Sequence, residues 1–451
     1  MITQLIAQKK HIRSTNLLNT IIENLNSYEE DILYYKAKNI KDWENEWDFK
    51  TFDSNIFSHG FHQYPAKFIP QLARKLLRIF TNEDSTVLDI FSGSGTSIIE
   101  AMLLNRKTVI GIELNPFAVF MTKVKTKPIN PVFIQKEFIK IKALYYKEDF
   151  TDYKTEDFPN IKFWFKEETI KELSKLKQII LNIENKDISN FFLLPFSEVI
   201  RKVSLTNHGG FKLHRDKKKL TENFKPDVFN EFYKISIKNI RLMADFYNTT
   251  KNNKTKIQVY NSDSRLLQPI NENSVDFILT SPPYGDSKTT VAYGQYSRLS
   301  WQWISNNSDI LSLDNNLLGG KVNSDFENII LNKSKTLNEQ ISLIKEKDLR
   351  RAKDVLSFYI DLYKTIENAF HYLKKNKYFV LVTGNRTVKE VFLQTDKIIS
   401  EFAEHIGFHT DKILFRNIIN KRMPRKNSPT NEKGKVGNTM LKEDIIFLRK
   451  Y

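Results

Sequence analysis

The 451-residue sequence predicts an α/β fold, a doubly wound and mostly parallel sheet carrying helical insertions. Three observations predict it. The apolar run TVLDIF (86–91) leads through the glycine-bearing turn SGSGT (92–96) into SIIEAMLLN (97–105), which reads as a helix. KTVIGIEL (107–114) and PFAVFMTKVK (116–125) repeat strand and helix at once, with Pro116 where a helix start tolerates it. Strand-like runs then return at KIQVYNSD (256–263), VDFILTSPPY (275–284) and KYFVLVTG (377–384). Strand–turn–helix–strand–helix order is one half of a doubly wound sheet.

The remaining elements follow in order. Residues 1–55 form an N-terminal segment, partly helical by the spacing of Leu17, Leu18, Ile21, Ile22 and Leu25. PAKFIPQLARKLLRIF (65–80) reads as a helix whose apolar face is Phe68, Leu72, Leu76, Ile79 and Phe80. Residues 130–255 are Lys-rich, with helices near 166–183, 187–203 and 228–246, and read as a helical insertion. Residues 285–350 hold many Asn and Ser and read as a second insertion. Helices at 354–375 and 392–406 and a closing strand pair at 408–419 and 444–450 complete the pattern. The α/β domain is thus assembled from 56–129 and 256–451.

Composition narrows the chemistry. Lys and Arg number 70 against 53 Asp and Glu, a net charge of +17, which points to a polyanionic partner: nucleic acid or an acidic membrane surface. There is no cysteine, so disulfides, thiolate metal sites and cysteine nucleophiles are excluded. The eight histidines are scattered, with no HExxH pair to support a histidine metal site. No apolar run approaches the roughly 18 residues of a membrane span. The opening MITQLIAQKKHIR lacks the apolar core and cleavage site of a signal peptide. The expectation is a soluble, intracellular, cytoplasmic protein.

Two motifs carry the chemistry. In LDIFSGSGTS (88–97), Gly93 and Gly95 let the backbone turn tightly and approach a ligand, and the helix that follows offers free N–H groups. Glu113 ends the next strand, where a carboxylate grips ribose hydroxyls in nucleotide-binding sheets. Ile98 stands where a dinucleotide fingerprint needs its third glycine, which disfavours a nicotinamide or flavin cofactor. An ordinary tight βα turn is the alternative. In TSPPYGDS (280–287), Pro282 and Pro283 remove two backbone donors and stiffen the chain as it leaves a strand. Tyr284 then offers a flat face at the carboxyl edge of the sheet, suited to a heterocycle whose amino group is held by Ser281 and a carbonyl. A proline turn capping a strand is the alternative.

FSGSGT, IELNP and TSPPY in that order, with HQYPAKFIP (62–70) upstream, resemble the S-adenosylmethionine-dependent DNA amino-methyltransferases of bacterial modification systems. The likeness spans roughly residues 59–125 and 256–450. It implies a sheet of the class I methyltransferase type and S-adenosyl-L-methionine as cofactor. By this resemblance Tyr64, Pro65, Ala66 and Lys67 form the methionine-side element. Asp89, Phe91, Gly93, Gly95 and Thr96 form the cofactor loop, Glu113 the ribose acid with Asn115 beside it, and Asp263 the acid at the adenine amino group. Ser281, Pro282, Pro283 and Tyr284 match the catalytic tetrapeptide.

The implied reaction needs no covalent intermediate. An exocyclic amine is a poor nucleophile because its lone pair is delocalised into the ring. Ser281 and the Pro282 carbonyl would hold its hydrogens and free that pair for in-line attack on the methyl group. The target base must leave the duplex, at a cost partly recovered on Tyr284. In the family a leading Ser goes mostly with cytosine N4, and Asp or Asn with adenine N6, so Ser281 favours N4 of cytosine in double-stranded DNA. Carbon-5 methylation needs a cysteine that the chain lacks.

Candidate contacts to DNA are less sharply marked. Residues 412–435 hold Lys412, Arg416, Lys421, Arg422, Arg425, Lys426, Lys433 and Lys435 against one acid, Glu432. Arg422, Arg425 and Lys426 are the phosphate-binding candidates, a solvated face being the alternative. A second basic stretch is 201–219, with Arg201, Lys202, Lys212, Arg215, Lys217, Lys218 and Lys219. Arg298, with Tyr293, Tyr296, Trp301 and Trp303, lines the flipped-base pocket or belongs to the core. Sequence readout falls to the two insertions, and a restriction endonuclease acting on the same site is an implied partner. The rivals are an adenine-N6 DNA methyltransferase, then an RNA base methyltransferase, then a non-enzymatic nucleic-acid-binding protein.

Overall fold

The computed structural model describes residues 47–49, 52–147, 153–207, 210–287, 289–305, 309–322, 327–418, 426–427, 437–438 and 440–451. Its centre is a seven-stranded sheet. The strands are β1 (Thr86–Asp89), β2 (Thr108–Glu113), β3 (Lys256–Asn261), β4 (Val275–Thr280), β5 (Leu373–Thr383), β8 (Phe408–Asn417) and β11 (Lys442–Lys450). A hairpin of β6 (Arg386–Val388) and β7 (Val391–Leu393) and a short pair, β9 (Lys426–Asn427) with β10 (Gly437–Asn438), lie outside it.

The spatial order is β3-β2-β1-β4-β5-β11-β8. β1 pairs in parallel with β2 and β4, β2 with β3, and β4 with β5. β11 alone runs against its neighbours, antiparallel to both β5 and β8. This is the doubly wound, mostly parallel class predicted, with the expected closing strand pair at its edge. The order reverses between β1 and β4, so a crevice opens above their carboxyl ends, where open α/β sheets bind ligands.

Alternate residues of each strand feed opposite cores. Val87, Val109, Phe277, Leu279, Val380, Val382 and Ile445 pack on α1 (Pro70–Phe80) and α2 (Thr96–Leu103). Leu88, Ile110, Ile278, Phe379, Leu381 and Ile446 pack on the other face. There they meet α9 (Lys335–Lys347), α10 (Leu349–Tyr372) and α11 (Thr395–Ile406). A third core joins α3 (Pro116–Lys125) to α4 (Pro131–Tyr145), α5 (Glu167–Leu181), α6 (Lys186–Val203), α7 (Val228–Thr250) and α8 (Tyr293–Ser305). The stretches on either side of β3 and β4 therefore meet: Ser300 Oγ on α8 donates to the Ser197 carbonyl on α6 at 2.8 Å.

Two predicted boundaries move for a common reason. The helix expected from residue 65 begins at Pro70, because proline at the first helical position costs no hydrogen bond, whereas further inside it would. Residues 62–69 run instead as a loop beneath the crevice. The strand expected to reach residue 284 ends at Thr280, since Pro282 and Pro283 have no N–H to give a neighbour. Helix α4, which the sequence reading did not single out, starts at Pro131 after Asn130, whose side chain accepts from Val132 N–H. Among the described residues no helix is long and apolar enough to cross a membrane.

Candidate active site

A cavity of about 870 Å3, including its open mouth, occupies the crevice. Its walls are Tyr64–Phe68 from the loop before α1, Asp89–Ser94 and Thr96 from the glycine turn, Glu113 and Leu114, Asp263 and Ser264, Ser281 and Pro283, Tyr293, and Asn316–Leu318. Five separate stretches proposed from sequence thus meet in one place, though Glu113 and Asp263 are 150 positions apart and Tyr64 and Ser281 further still.

The glycine turn and Glu113 are built as a unit. Gly93, at φ +50°, donates its N–H to Glu113 Oε2 at 2.8 Å, and Asn115 N–H donates to Oε1 at 2.7 Å. Each carboxylate oxygen keeps lone-pair capacity for a further donor from the cavity. Burial pushes the Glu113 carboxyl up to about 7, against the pull of those backbone N–H groups. Asp89 is buried and accepts from Thr280 Oγ1 at 2.6 Å, from Phe91 N–H at 3.0 Å and from Ser97 Oγ. It therefore pins the glycine turn, the start of α2 and the end of β4 to one another, and burial raises its carboxyl to about 6.

Gly95 and Asn115 have other places than a cavity wall. Gly95 caps α2 at φ +87°, and a Cβ there would meet Thr122 Cγ2 of α3 at 2.7 Å, so its role is to let the turn close on α3. Asn115 is fully buried. Its Oδ1 accepts from Phe117 N–H, and its Nδ2 donates to Tyr64 Oη at 3.0 Å and Ser297 Oγ at 2.8 Å. It places Tyr64, whose ring stacks on Tyr293 with centroids 5.8 Å apart. Lys67 Nζ donates to the His59 carbonyl at 3.1 Å from the cavity's floor. Asp263 reaches the cavity already bound by Arg265, whose Nη2 lies 2.6 Å from Oδ2. Arg265 also binds Asp361 at 2.8 Å and the Asn316 carbonyl at 2.7 Å, which draws the 316–318 strand of chain over the cavity.

At the end of β4, Ser281 Oγ donates to the Val382 carbonyl of β5 at 2.9 Å. Tyr284 Oη lies 3.4 Å from the same oxygen, and with the hydrogen on Val382 a lone pair is left to accept from the cavity. Tyr284 Oη donates to Glu443 Oε1 at 2.9 Å, and burial pushes that phenol well above its ordinary range, keeping it a donor. Behind the loop, Asp286 is fully buried between Arg351 (2.7 Å) and Arg386 (3.1 Å). Burial pushes its carboxyl up, but the two guanidinium groups outweigh that and hold it at about 2. Tyr284 and Pro282 stand beside the cavity rather than in its wall. The wall is thus a cofactor-sized space with the tetrapeptide at its rim.

A model of DNA methylases of the N6/N4 type matches residues 4–124. Type II methyltransferase M.MvaI of Kocuria varians is 37% identical over 454 aligned positions, spanning 95% of this chain and 99% of that protein. The chain belongs to the N6/N4 DNA methyltransferases. S-Adenosylmethionine is the cofactor of this methyltransferase. M.AvaI of Nostoc sp. is 21% identical over 78% of the chain and 79% of its own length. M.MjaII of Methanocaldococcus jannaschii is 30% identical over 23% of the chain and 21% of its own length.

The methyltransferase's cavity fits that cofactor: a carboxylate with spare acceptor capacity at the glycine turn suits a ribose diol, and Phe91, Leu317 and Leu318 supply apolar walls for a flat base. Its basic stretches are spent differently from the sequence reading. Arg201 is buried, donates to the Tyr296 carbonyl at 2.7 Å and lies 3.9 Å from that ring's centroid. Lys219 Nζ binds the carbonyls of Ser204 and Thr206. Arg416 is 2% exposed and bound to Glu443. Arg201 and Arg416 are buried and Lys219 is half-buried, whereas Lys202, Lys212, Arg215, Lys217 and Lys218 of the same stretch are exposed. Arg422 and Arg425 lie outside the described residues, and Lys426 is described only as backbone of β9. Arg298 is half-buried on α8 and is not in the cavity wall. Of the aromatics, Tyr293 lines the cavity, Tyr296 donates to the Gln63 carbonyl, and Trp301 and Trp303 pack against core phenylalanines.

Sequence reasoning missed Glu443, Arg265 and Asn316–Leu318. Glu443 lies 159 positions from Tyr284, and Arg265 lies 51 and 96 positions from Asn316 and Asp361, so no local spacing rule links them.

Proposed function

We propose that the chain transfers the methyl group of S-adenosylmethionine to the exocyclic N4 of cytosine in duplex DNA, as the modification partner of a restriction endonuclease acting on the same site. The observation that carries this reading is Ser281 heading Pro-Pro-Tyr with its hydroxyl hydrogen committed to Val382. With its hydrogen on Val382 the oxygen accepts, which is what an amine with two hydrogens and a delocalised lone pair requires. Pro282 has a carbonyl but no N–H, so it too offers only an acceptor to that amine.

S-Adenosylmethionine, when bound, supplies an electrophilic methyl group. The chain's own residues bind, orient and exclude water. Glu113, the glycine turn and the loop from Tyr64 to Phe68 form the walls that hold it, and Asn316–Leu318 shelter it from solvent. Ser281 and Pro282 orient the amine, and Tyr284 receives the face of a base turned out of the helix. Position and fixed dipoles then supply the rate enhancement, with no residue bonded to the base.

The test is nucleoside mass spectrometry of unmethylated duplex DNA incubated with the protein and S-adenosylmethionine. N4-Methylcytosine is expected. N6-Methyladenine as the only product would replace the base assignment, and methylation of RNA but not DNA would replace the substrate.

A further inference from the structure

The tip of Tyr284 is tied to the far edge of the sheet. Its hydroxyl donates to Glu443 Oε1 at 2.9 Å across 159 residues of sequence, and the longer contact to Ser281 Oγ, at 3.4 Å, stays within the loop. Glu443 stands on β11 directly opposite Arg416 on β8, and Arg416 Nη1 binds its second oxygen, Oε2. Arg416 Nε donates to the Trp47 carbonyl at 2.8 Å and Nη2 to the Asp48 carbonyl at 3.3 Å, so the guanidinium is held on three sides. The Tyr284 ring meanwhile lies against the end of β5, where a Cβ on Gly384 would stand 3.3 Å from Tyr284 Cδ2.

We propose that Glu443 is a positioning residue for methyl transfer: it clamps the Tyr284 hydroxyl so that the ring already faces the site of the target base before DNA binds. This rests on Tyr284 being the residue that receives the base. A tyrosine free at its hydroxyl samples several χ1 and χ2 settings. One anchored at the tip by a carboxylate and backed by Gly384 keeps a single plane, and the base meets a surface that needs no ordering. Arg416 answers the question of why a carboxylate can sit there: it neutralises Glu443 on one oxygen and leaves the other for the phenol. The arrangement also ties residues 47–48 to the catalytic loop through a single arginine.

The test is a double-mutant cycle on the full chain, counting methyl groups transferred to duplex DNA whichever base receives them. Glu443→Ala is expected to lower kcat about ten- to hundredfold when Tyr284 is present, and less than about twofold in a Tyr284→Phe background, with the cofactor dissociation constant unchanged. Equal losses in both backgrounds would overturn the clamp, because the carboxylate would then act only on Arg416 and the strands. An undiminished rate in Glu443→Ala would overturn it too. Should Glu443→Ala fail to fold, Tyr284→Phe alone decides, since it removes the hydroxyl and leaves the Glu443–Arg416 pair in place: a wild-type rate there ends the proposal. A methyladenine product would change the base assignment and leave the cycle readable.

Discussion

Ser281 donates to the Val382 carbonyl at 2.9 Å, and its oxygen, 3.4 Å from Tyr284 Oη, keeps a lone pair for the cavity. Ser281→Ala is therefore expected to lower the single-turnover rate of methyl transfer while cofactor affinity, measured by calorimetry, stays within twofold or so. Tyr284→Ala removes a stacking face worth about 1–3 kcal/mol, so DNA affinity and turnover fall and cofactor binding survives. Glu113 carries a pH signature. Its carboxyl sits at about 7 because it is buried, so near neutrality part of the population is protonated. The ionised form accepts ribose hydroxyls on both oxygens and favours a cationic cofactor. Affinity is expected to rise between pH 6 and 8 by up to about tenfold. Glu113→Gln should flatten that profile, and a flat profile in the wild type would contradict the assignment.

At the scale of elements, the sequence and the structure agree where the signal is local. A strand, two glycines and a helix start lie within a dozen residues, so the first βαβ unit and its ligand edge were legible. Ser281 and Pro283, picked out by the family resemblance of TSPPY, do line the same cavity as the glycine turn. What stayed hidden were contacts between distant stretches: Glu443 on Tyr284, Arg265 on Asp361 and the Asn316 carbonyl, and Asn316–Leu318 in the cavity wall. Charge alone misled at Arg201 and Arg416, since a buried arginine on carbonyls and a carboxylate looks the same in a sequence as one on the surface. Gly95 was read as a ligand-facing glycine and instead faces Thr122. Gly95→Val should therefore cost stability, about 2–5 kcal/mol from backbone strain and overpacking, and a large fall in Tm is the expected result. Asp444, on β11, adds a second element-scale prediction. Burial first, with Asp396 and Glu443 adding to it, pushes its carboxyl up to about 7. Folding then favours the protonated group, and that stability is lost as pH rises through 7. Asp444→Asn should remove this loss, so its Tm advantage over wild type should be larger at pH 8.5 than at pH 6.

For the whole molecule, the +17 charge and the family both point to DNA, and polyanion binding by such a chain must release counterions. Arg201 and Arg416 are buried and engaged within the protein, and the sequence's candidates for phosphate contact are Arg422, Arg425 and Lys426. Neutralising Arg422, Arg425 and Lys426 together should weaken DNA binding on all sequences and reduce the log–log salt slope by about 2–3. An unchanged slope would make that stretch a solvated face. The packing of α8 on α6 joins the chain that follows the Ser281–Tyr284 loop to the helical body between α3 and β3.

In the proposed reaction, an acceptor pair at the end of β4 presents a base amine to S-adenosylmethionine held over the glycine turn. The most direct measurement compares nucleosides in the DNA of cells expressing the wild-type protein with those from cells expressing Ser281→Ala, at matched protein levels. With the purified variant binding the cofactor as the wild type does, N4-methylcytosine should be abundant in the first DNA and sharply reduced in the second. Equal modification in both would contradict the account.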